Sequence, residues 1–366
     1  MMLRSVAFIW LVAMVHSREE SSRHHVKGRA NTQTAASEEP AVHPECTCVP
    51  HHQCNNSKGQ GRKVESKDAL AVHQNCKDDE VCCQLEDLKP PPKKPKCGHR
   101  PMEDLVSAMA QSSDNQALYG EFPWMVAVMG QQYINGGHQT GAYYCGGSLI
   151  RPDVVLTAAH CVKGKKYITI RAGEWSVRNL ELYPVQNVKV KHVTVHEEYF
   201  AEKLHNDIAL LFLESPVDLM ASVATVCLPS QGENFDNNTC MASGWGKDVF
   251  GPAGQYQDIM KKVRMSVIPQ SHCEEQLRST KLETDFQLHD SSICALGLHG
   301  RDLCQGDGGS PLVCPTAGTT GASSYVQAGV VSWGLGCGGD SPSVYTNVAH
   351  FRNWIDHELA SSILEL

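Results

Sequence analysis

Short apolar segments separated by glycine and proline recur along the chain from residue 119 to about residue 348. This pattern predicts an all-β protein organised as a pair of barrels. The first barrel strand is predicted at residues 120–128, which are rich in apolar side chains. The end of the chain, at 348–364, differs because its apolar residues follow helical spacing and predict a C-terminal amphipathic helix. These residues are Phe351, Trp354, Ile355 and Leu359.

The beginning of the chain has its own pattern. Arg4 precedes an apolar run at 6–15, and Ser17 offers a small residue for cleavage. Because the run is too short to span a bilayer, we interpret residues 1–17 as a secretory signal peptide, with an N-terminal anchor helix as the alternative. No later stretch has about 18 consecutive apolar residues, so no membrane partner is expected. Residues 18–45 are polar and are expected to be disordered.

Length, cysteine count and net charge limit the kinds of protein that this chain can be. A length of 366 residues predicts about two domains. The chain has 16 cysteines, an even number that indicates an oxidising compartment. Its formal net charge of -8 argues against nucleic acid as a partner.

A cysteine-rich module is predicted at 46–83, a segment too short to bury a sufficient core without cross-links. Its cysteines are Cys46, Cys48, Cys54, Cys76, Cys82 and Cys83. The sequence alone allows many pairings among them. Asn55 begins a glycosylation sequon in this module, and Asn237 begins a second sequon further along the chain.

Residues 59–67 form a basic, glycine-containing loop inside this module. Loops of this kind are preferred sites of proteolysis, and we hypothesise a cut after Arg62. An uncut, solvated loop is the alternative.

A linker is predicted at 84–110, because prolines and lysines at 89–96 form a stiff, extended spacer directly before Cys97.

Candidate chemistry lies in three motifs: TAAHC at 157–161, NDIAL at 206–210 and CQGDGGSP at 304–311. In this order they resemble the catalytic motifs of the trypsin-like serine proteases. The resemblance implies a fold of two six-stranded antiparallel β-barrels with a C-terminal helix, occupying residues 111–364. It makes His160 the general base and Asp207 the acid that orients it. Gly308 stands where the family has its nucleophilic serine, and Ser310 follows two positions later.

This substitution predicts that the domain is not an enzyme. Acyl transfer needs a hydroxyl within about 3 Å of the base nitrogen, and Gly308 has no side chain. Ser310 is displaced by roughly 7 Å along an extended chain. Active members of the family also carry a basic residue before their new amino terminus, whereas the matching stretch here, from Gln111, has none. Asp307 is therefore expected to lack the amino-terminal partner that it has in the family.

The resemblance extends to the specificity pocket and to metal binding. Asp302 matches the acidic residue that binds arginine or lysine in trypsin-like enzymes, Gly334 matches one pocket wall, and Ser343 replaces a usual glycine on the other wall. Asp302 could bind a basic side chain of a partner, or it could simply pair locally. No cofactor is expected, apart from calcium as an option because Glu174 falls near the calcium loop of the family.

The cysteine order at 46–83 resembles the clip domain of arthropod serine proteases. Together with the trypsin-like staples, the resemblance implies eight disulfides and no free thiol. The implied pairs are Cys46–Cys82, Cys48–Cys76, Cys54–Cys83, Cys97–Cys227, Cys145–Cys161, Cys240–Cys314, Cys273–Cys294 and Cys304–Cys337.

The whole pattern resembles the non-catalytic clip-domain serine protease homologues, a group that includes prophenoloxidase-activating factors and masquerade-like proteins. It implies a secreted haemolymph protein that acts as a cofactor in melanisation and innate immunity. Prophenoloxidase and clip-domain proteases are the implied partners, and a homo-oligomer after cleavage is an option. Two other functions stay open: a pattern-recognition or adhesion protein that binds microbial surfaces, and an active trypsin-like endopeptidase that uses Ser310.

Overall fold

The computed structural model describes most of the chain from residue 96 onwards and two short strands before it. The described residues are 47–50, 80–83, 96–100, 115–134, 137–177, 181, 183–280, 282, 284–298, 303–316, 324–337 and 341–364. The predicted signal peptide, the segment predicted to be disordered and the hypothesised cut after Arg62 lie outside the described residues, as do Asn55, Gln111 and Asp302.

The chain divides into two compact units, one at Ala13–Lys93 and one that includes Lys94–Leu366. In the first unit, β1 (Thr47–Pro50) and β2 (Glu80–Cys83) form an antiparallel pair. Cys48 lies opposite Cys82 in this pair. The disulfide pairing predicted for this module involves residues outside the described part of the chain and stays a prediction.

The second unit begins its regular structure with a closed six-stranded barrel, in the order β3-β4-β5-β8-β7-β6. Neighbouring strands are antiparallel throughout. The elements are β3 (Met125–Ile134), β4 (Gly137–Arg151), β5 (Val154–Thr157), helix α1 (Ala159–Val162), β6 (Thr169–Ala172), β7 (Gln186–Val195) and β8 (Ala209–Leu213).

A second closed six-stranded antiparallel barrel follows, in the order β10-β11-β14-β13-β12-β9. Its elements are β9 (Thr239–Gly244), β10 (Lys261–Ile268), helix α2 (Gln270–Arg278), β11 (Ser292–Gly297), β12 (Pro311–Thr316), β13 (Ser324–Trp333) and β14 (Ser343–Asn347). The final helix, α3, runs over Arg352–Leu364. Two such barrels with few helices confirm the predicted fold class.

The alternation of side chains explains why these segments form barrel walls. In β6, Ile170 and Ala172 are fully buried, whereas Thr169 and Arg171 are partly exposed. Side chains of successive strand residues point to opposite faces, so one face of β6 fills the barrel and the other meets solvent. β5 is buried at every position, and it pairs with β4 along one edge and with β8 along the other.

The predicted start of the first strand is wrong by several residues. The strand begins at Met125, and the residues before it form turns. Gly120 has a φ of +70°, and the Glu121 carboxylate accepts a hydrogen bond from the Leu118 amide at 2.7 Å. Phe122 is buried without belonging to a strand. Its apolar character reflects core packing and not strand pairing.

The predicted C-terminal helix is confirmed. Ile355 is fully buried on its inner face, Phe351 is buried directly before its first turn, and Trp354 and Leu359 pack against the same core. No helix in the described part of the chain combines the length and the apolar character needed to cross a bilayer.

Disulfides cross-link the second unit. The structure pairs Cys97 with Cys227, Cys145 with Cys161, Cys240 with Cys314, Cys273 with Cys294, and Cys304 with Cys337. The first of these bridges connects the residues after the proline-rich segment to the barrels.

Candidate functional site

A histidine–aspartate pair lies at the junction of the two barrels. His160 belongs to α1, directly after the buried strand β5, and Asp207 is fully buried just before β8. The Nδ1 atom of His160 lies 2.7 Å from Oδ2 of Asp207, and the His160 backbone amide donates to Oδ1 at 2.8 Å. Both carboxylate oxygens therefore fix the position of the histidine.

The second barrel holds Asp207 in place. The Ser332 hydroxyl donates to Oδ2 of Asp207 at 2.5 Å, and the Thr346 hydroxyl donates to the Asp207 carbonyl at 2.7 Å. The neighbouring Asn206 amide donates to Oγ of Ser291 at 3.1 Å. These bonds make the acidic residue part of the barrel junction.

The environment of His160 favours its protonated form. Burial disfavours the charged ring, but the negative charge of Asp207 and its hydrogen bond together outweigh burial. The pKa of His160 is therefore raised above 6.5. An oriented, basic imidazole of this kind is suited to accept a proton from a hydroxyl placed at Nε2.

Residue 308 is placed where a side chain would face this imidazole. A Cβ added to Gly308 would lie 2.8 Å from Nε2 of His160. The Gly308 carbonyl accepts a hydrogen bond from the Gly146 amide at 2.9 Å, and the Gly309 amide donates to the Val331 carbonyl at 2.9 Å. The loop is thus held by both barrels, and it presents no hydroxyl to the ring at residue 308.

Ser310 lies directly before β12. It is fully buried, and its hydroxyl fills the space beside Gly146 that a Cβ there would need. The Ser310 amide donates to the Asp307 carbonyl, and the Val331 amide donates to the Ser310 carbonyl. Within the described part of the chain the Ser310 hydroxyl has no hydrogen-bond partner.

Asp307 is a buried carboxylate that accepts main-chain hydrogen bonds. Its Oδ1 accepts from the Gly246 amide at 2.8 Å, and its Oδ2 accepts from the Cys304 amide at 3.0 Å. Among the described residues it takes part in no ion pair. Burial raises the pKa of Asp307 to about 6, although the two amides favour the charged form. Burial of this carboxyl therefore favours its neutral form, against the two amides that favour the charged form.

An aromatic side chain that sequence analysis did not single out covers the same loop. The Tyr143 hydroxyl donates to the Gly306 carbonyl at 3.0 Å, and the Tyr143 ring lies edge-on to Trp245 and Tyr256. A tyrosine in the middle of β4 carries no sequence signal for such a contact, because the loop lies more than 160 positions away along the chain.

Two of the residues predicted to line a specificity pocket are described. Gly334 is buried just after β13, and Ser343 is buried at the start of β14. These strand ends are paired, because Trp333 lies opposite Val344. Asp302 lies outside the described residues, so its predicted role at this pocket stays a prediction.

Glu174 lies beside a second carboxylate that the sequence analysis missed. Glu174 is buried and accepts a hydrogen bond from Arg171 at 2.9 Å. Glu181 accepts hydrogen bonds from the Trp175 and Ser176 amides. Burial raises the pKa of Glu181, and the negative charge of the nearby Glu174 raises it further. Calcium needs six or more oxygen ligands. These contacts already engage both carboxylates, and calcium stays a prediction.

One cluster among the described residues has metal-ligand types, namely Cys145, His160 and Cys161. The two cysteines are joined in a disulfide and offer no thiolate.

Asn237, the predicted glycosylation site, is exposed in a turn with a φ of +63° before β9. Its position is accessible to modification, which stays a prediction.

Comparison with known proteins agrees with this geometry. The trypsin family model matches residues 112–355. Phenoloxidase-activating factor 2 of Galleria mellonella is 45% identical over 287 residues, which cover 75% of this chain and 94% of the relative. Inactive CLIP domain-containing serine protease A8 of Anopheles gambiae is 39% identical over 243 residues, covering 66% and 65% of the two chains.

Protein masquerade of Drosophila melanogaster is 36% identical over 244 residues, which cover 65% of this chain and 22% of the relative. Several relatives carry the word inactive in their names. The chain therefore belongs to the trypsin family, among the clip-domain serine protease homologues.

Proposed function

We propose that this protein is a secreted, non-catalytic protease homologue that acts as a protein-binding cofactor in the activation of prophenoloxidase. The observation that carries the proposal is the absence of a hydroxyl at Gly308, opposite Nε2 of His160. The name of the Galleria mellonella relative, phenoloxidase-activating factor 2, supports the process.

Gly308 occupies the nucleophile position in this proposal. Hydrolysis through an acyl-enzyme needs a nucleophile within hydrogen-bond reach of the base, and an oriented His160–Asp207 pair alone supplies none. Loss of the nucleophile in a serine protease costs about 10⁶-fold in turnover. The surrounding groups can orient a proton acceptor, but they cannot form the covalent intermediate.

Ser310 does not replace the missing residue. Its side chain is fully buried against Gly146, so it has access neither to solvent nor to a peptide substrate. Moving its hydroxyl to His160 would require rebuilding a loop that the bridges of Cys304 and Cys314 hold at both ends. This argues against the endopeptidase alternative.

The two barrels and the His160–Asp207 pair between them are suited to binding another protein. The histidine and the aspartate still connect the two barrels, because Asp207 contacts both α1 and β13. A fold that keeps its shape and loses its chemistry can act as a scaffold, since function depends on the site and not on the fold.

Reconstitution tests the proposal. Purified full-length protein, uncut or cut by a clip-domain protease, is added to prophenoloxidase and its activating protease, and phenoloxidase activity is measured. We expect the cut protein to raise the activity several-fold and the uncut protein to do less. Arg62→Gln should block the gain if the cut follows Arg62, with Lys67→Gln as the matched control. No gain from either form would contradict the cofactor role.

A further inference from the structure

A short basic loop follows the His160 helix directly. It comprises Lys163, Gly164, Lys165, Lys166 and Tyr167, and we call it the 163–167 loop. All five residues are exposed, and the loop contains three lysines and no acidic residue. This local positive charge contrasts with the net charge of -8 for the whole chain.

The loop is fixed at its start. The Lys163 amide donates to the Ala159 carbonyl at 2.9 Å, and the Lys165 amide donates to the Val162 carbonyl at 3.0 Å. Both acceptors belong to α1, the helix that carries His160. The main chain of the loop is therefore tied to the helix that carries His160.

Aromatic rings orient two of the ammonium groups. The Lys163 ammonium lies 4.7 Å from the ring centroid of Tyr199, and that of Lys165 lies 4.9 Å from the ring centroid of Tyr144. Cation–π contacts of this kind hold a charge in place without neutralising it. Among the residues that the structure describes, no ion pair involves a lysine of this loop.

Tyr167 adds an exposed aromatic side chain to the loop. Its side chain is 71% exposed, the largest exposure among the large apolar and aromatic side chains of the described residues. It also has a φ of +56°, a conformation that costs energy for a bulky residue. Local strain of this type is maintained where the surrounding structure imposes it, and it marks a candidate functional surface. In this loop the strained residue is an exposed tyrosine that directly follows the three lysines in sequence.

We propose that the 163–167 loop binds an acidic segment of a partner protein. Carboxylates would contact the ammonium groups of Lys163, Lys165 and Lys166, and an apolar side chain of the partner would pack on Tyr167. Aromatic anchors beside complementary charges are typical of protein interfaces. The inference rests on the proposed function only in that the protein acts by binding.

A short acidic segment fits this surface better than a long polyanion does. The loop holds no arginine, the residue preferred for bidentate contacts to phosphate and sulfate groups. A nucleic acid, a sulfated glycan or an anionic membrane would also meet the negative remainder of the protein. A segment of a few residues meets only the local positive charge, because screening limits its interactions to about 10 Å.

Fluorescence anisotropy with the full-length protein tests the proposal. The probe is a fluorescein-labelled peptide of alternating glutamate and glycine around a central leucine. The same peptide with glutamine in place of glutamate is the control probe. Saturable binding of the acidic probe that weakens with salt is expected, together with little binding of the control probe. No saturable binding of the acidic probe would overturn the proposal.

Two sets of variants locate the site. Lys163→Gln, Lys165→Gln and Lys166→Gln together should weaken probe binding about tenfold or more, since each exposed charge pair contributes a factor of about two to five. Tyr167→Ala should weaken it about threefold. The matched control combines Lys96→Gln, Lys189→Gln and Lys191→Gln, which removes the same charge from other exposed sites.

Equal weakening by the two triple variants would overturn the assignment, because it would reflect net charge alone. Tighter binding of heparin or of phosphatidylserine vesicles than of the peptide, lost in the same loop variant, would also overturn it. The experiment contains no prophenoloxidase. It can therefore fail while the cofactor reconstitution succeeds, and a failed reconstitution leaves the peptide result standing.

Discussion

The Nε2 atom of His160 faces Gly308 so closely that a Cβ on residue 308 would lie 2.8 Å from it. The histidine is oriented by Asp207 as a general base would be, yet the residue it faces has no side chain. The oriented imidazole therefore faces a residue that presents no hydroxyl to it.

Restoring that side chain should not restore an enzyme. Gly308→Ser places a hydroxyl beside His160. The neighbouring Asp307, however, accepts hydrogen bonds from the amides of Gly246 and Cys304, and it has no ion pair with an amino terminus among the described residues. An arginyl peptide anilide assay should detect no more than trace turnover. The added atoms also crowd His160, and the free energy of unfolding should fall by about 1–3 kcal/mol. Gly308→Ala is the control for crowding, and turnover at the level of trypsin would contradict this interpretation.

Asp307 should give the protein an unusual pH dependence of stability. Its pKa is raised in the folded state to about 6 from 3.8, so the folded protein holds this proton more tightly than the unfolded chain does. The contribution is therefore favourable below about pH 4 and is lost as the pH rises to about 6, by about 2–3 kcal/mol in total.

Urea denaturation between pH 4 and pH 7 measures this effect. Asp307→Asn should flatten the profile over that window, whereas Asp285→Asn, which removes one exposed carboxylate, should leave it unchanged. An identical slope in the wild-type protein and in Asp307→Asn would show that the buried carboxylate does not titrate there.

The pKa of His160 should depend on Asp207. Because the aspartate outweighs burial, the NMR titration of the ring should give a value above 6.5, and Asp207→Asn should lower it. The raised pKa stabilises the fold fully below about pH 6.5, and this contribution is lost as the pH rises through the folded value. Ser332→Ala, which keeps the carboxylate and removes one donor to it, is the control. An unchanged titration in Asp207→Asn would contradict the proposed origin of the shift.

Arg100 should anchor the residues that follow the proline-rich segment. Its guanidinium lies 4.1 Å from the ring centroid of Tyr325 and 5.0 Å from that of Phe122, and it is 4.0 Å from Glu121. Arg100→Ala should lower the free energy of unfolding by about 2 kcal/mol, because it removes buried packing as well as charge. Arg151→Ala, at a partly exposed ion pair, should cost less than about 1 kcal/mol. Equal losses would mean that the stacking contributes little.

Much of this architecture could be predicted from the sequence, and the exceptions have physical reasons. Alternation in β6 and helical spacing before Leu359 depend on local periodicity, which the sequence displays directly. The strand start was misplaced because Phe122 is apolar for core packing, and periodicity alone does not distinguish core packing from strand pairing.

The candidate site shows the same division. His160 and Asp207 were identified by local motifs, and the structure brings them together. The partners of Asp307 are main-chain amides, which every residue carries, so no sequence signal marks them. Glu181 was missed beside Glu174 for a related reason, because no regular sequence spacing marks the proximity of these two carboxylates.

The central claim is that this protein acts in prophenoloxidase activation without cutting a peptide bond. Phenoloxidase activity in the reconstituted system, with His160→Ala in place of the wild-type protein, tests it most directly. Because the histidine performs no catalytic step in this account, a folded His160→Ala variant should raise phenoloxidase activity as much as the wild-type protein does. Loss of the several-fold gain in a His160→Ala variant with an unchanged melting temperature would contradict the claim, because it would show that the histidine is needed for the activation.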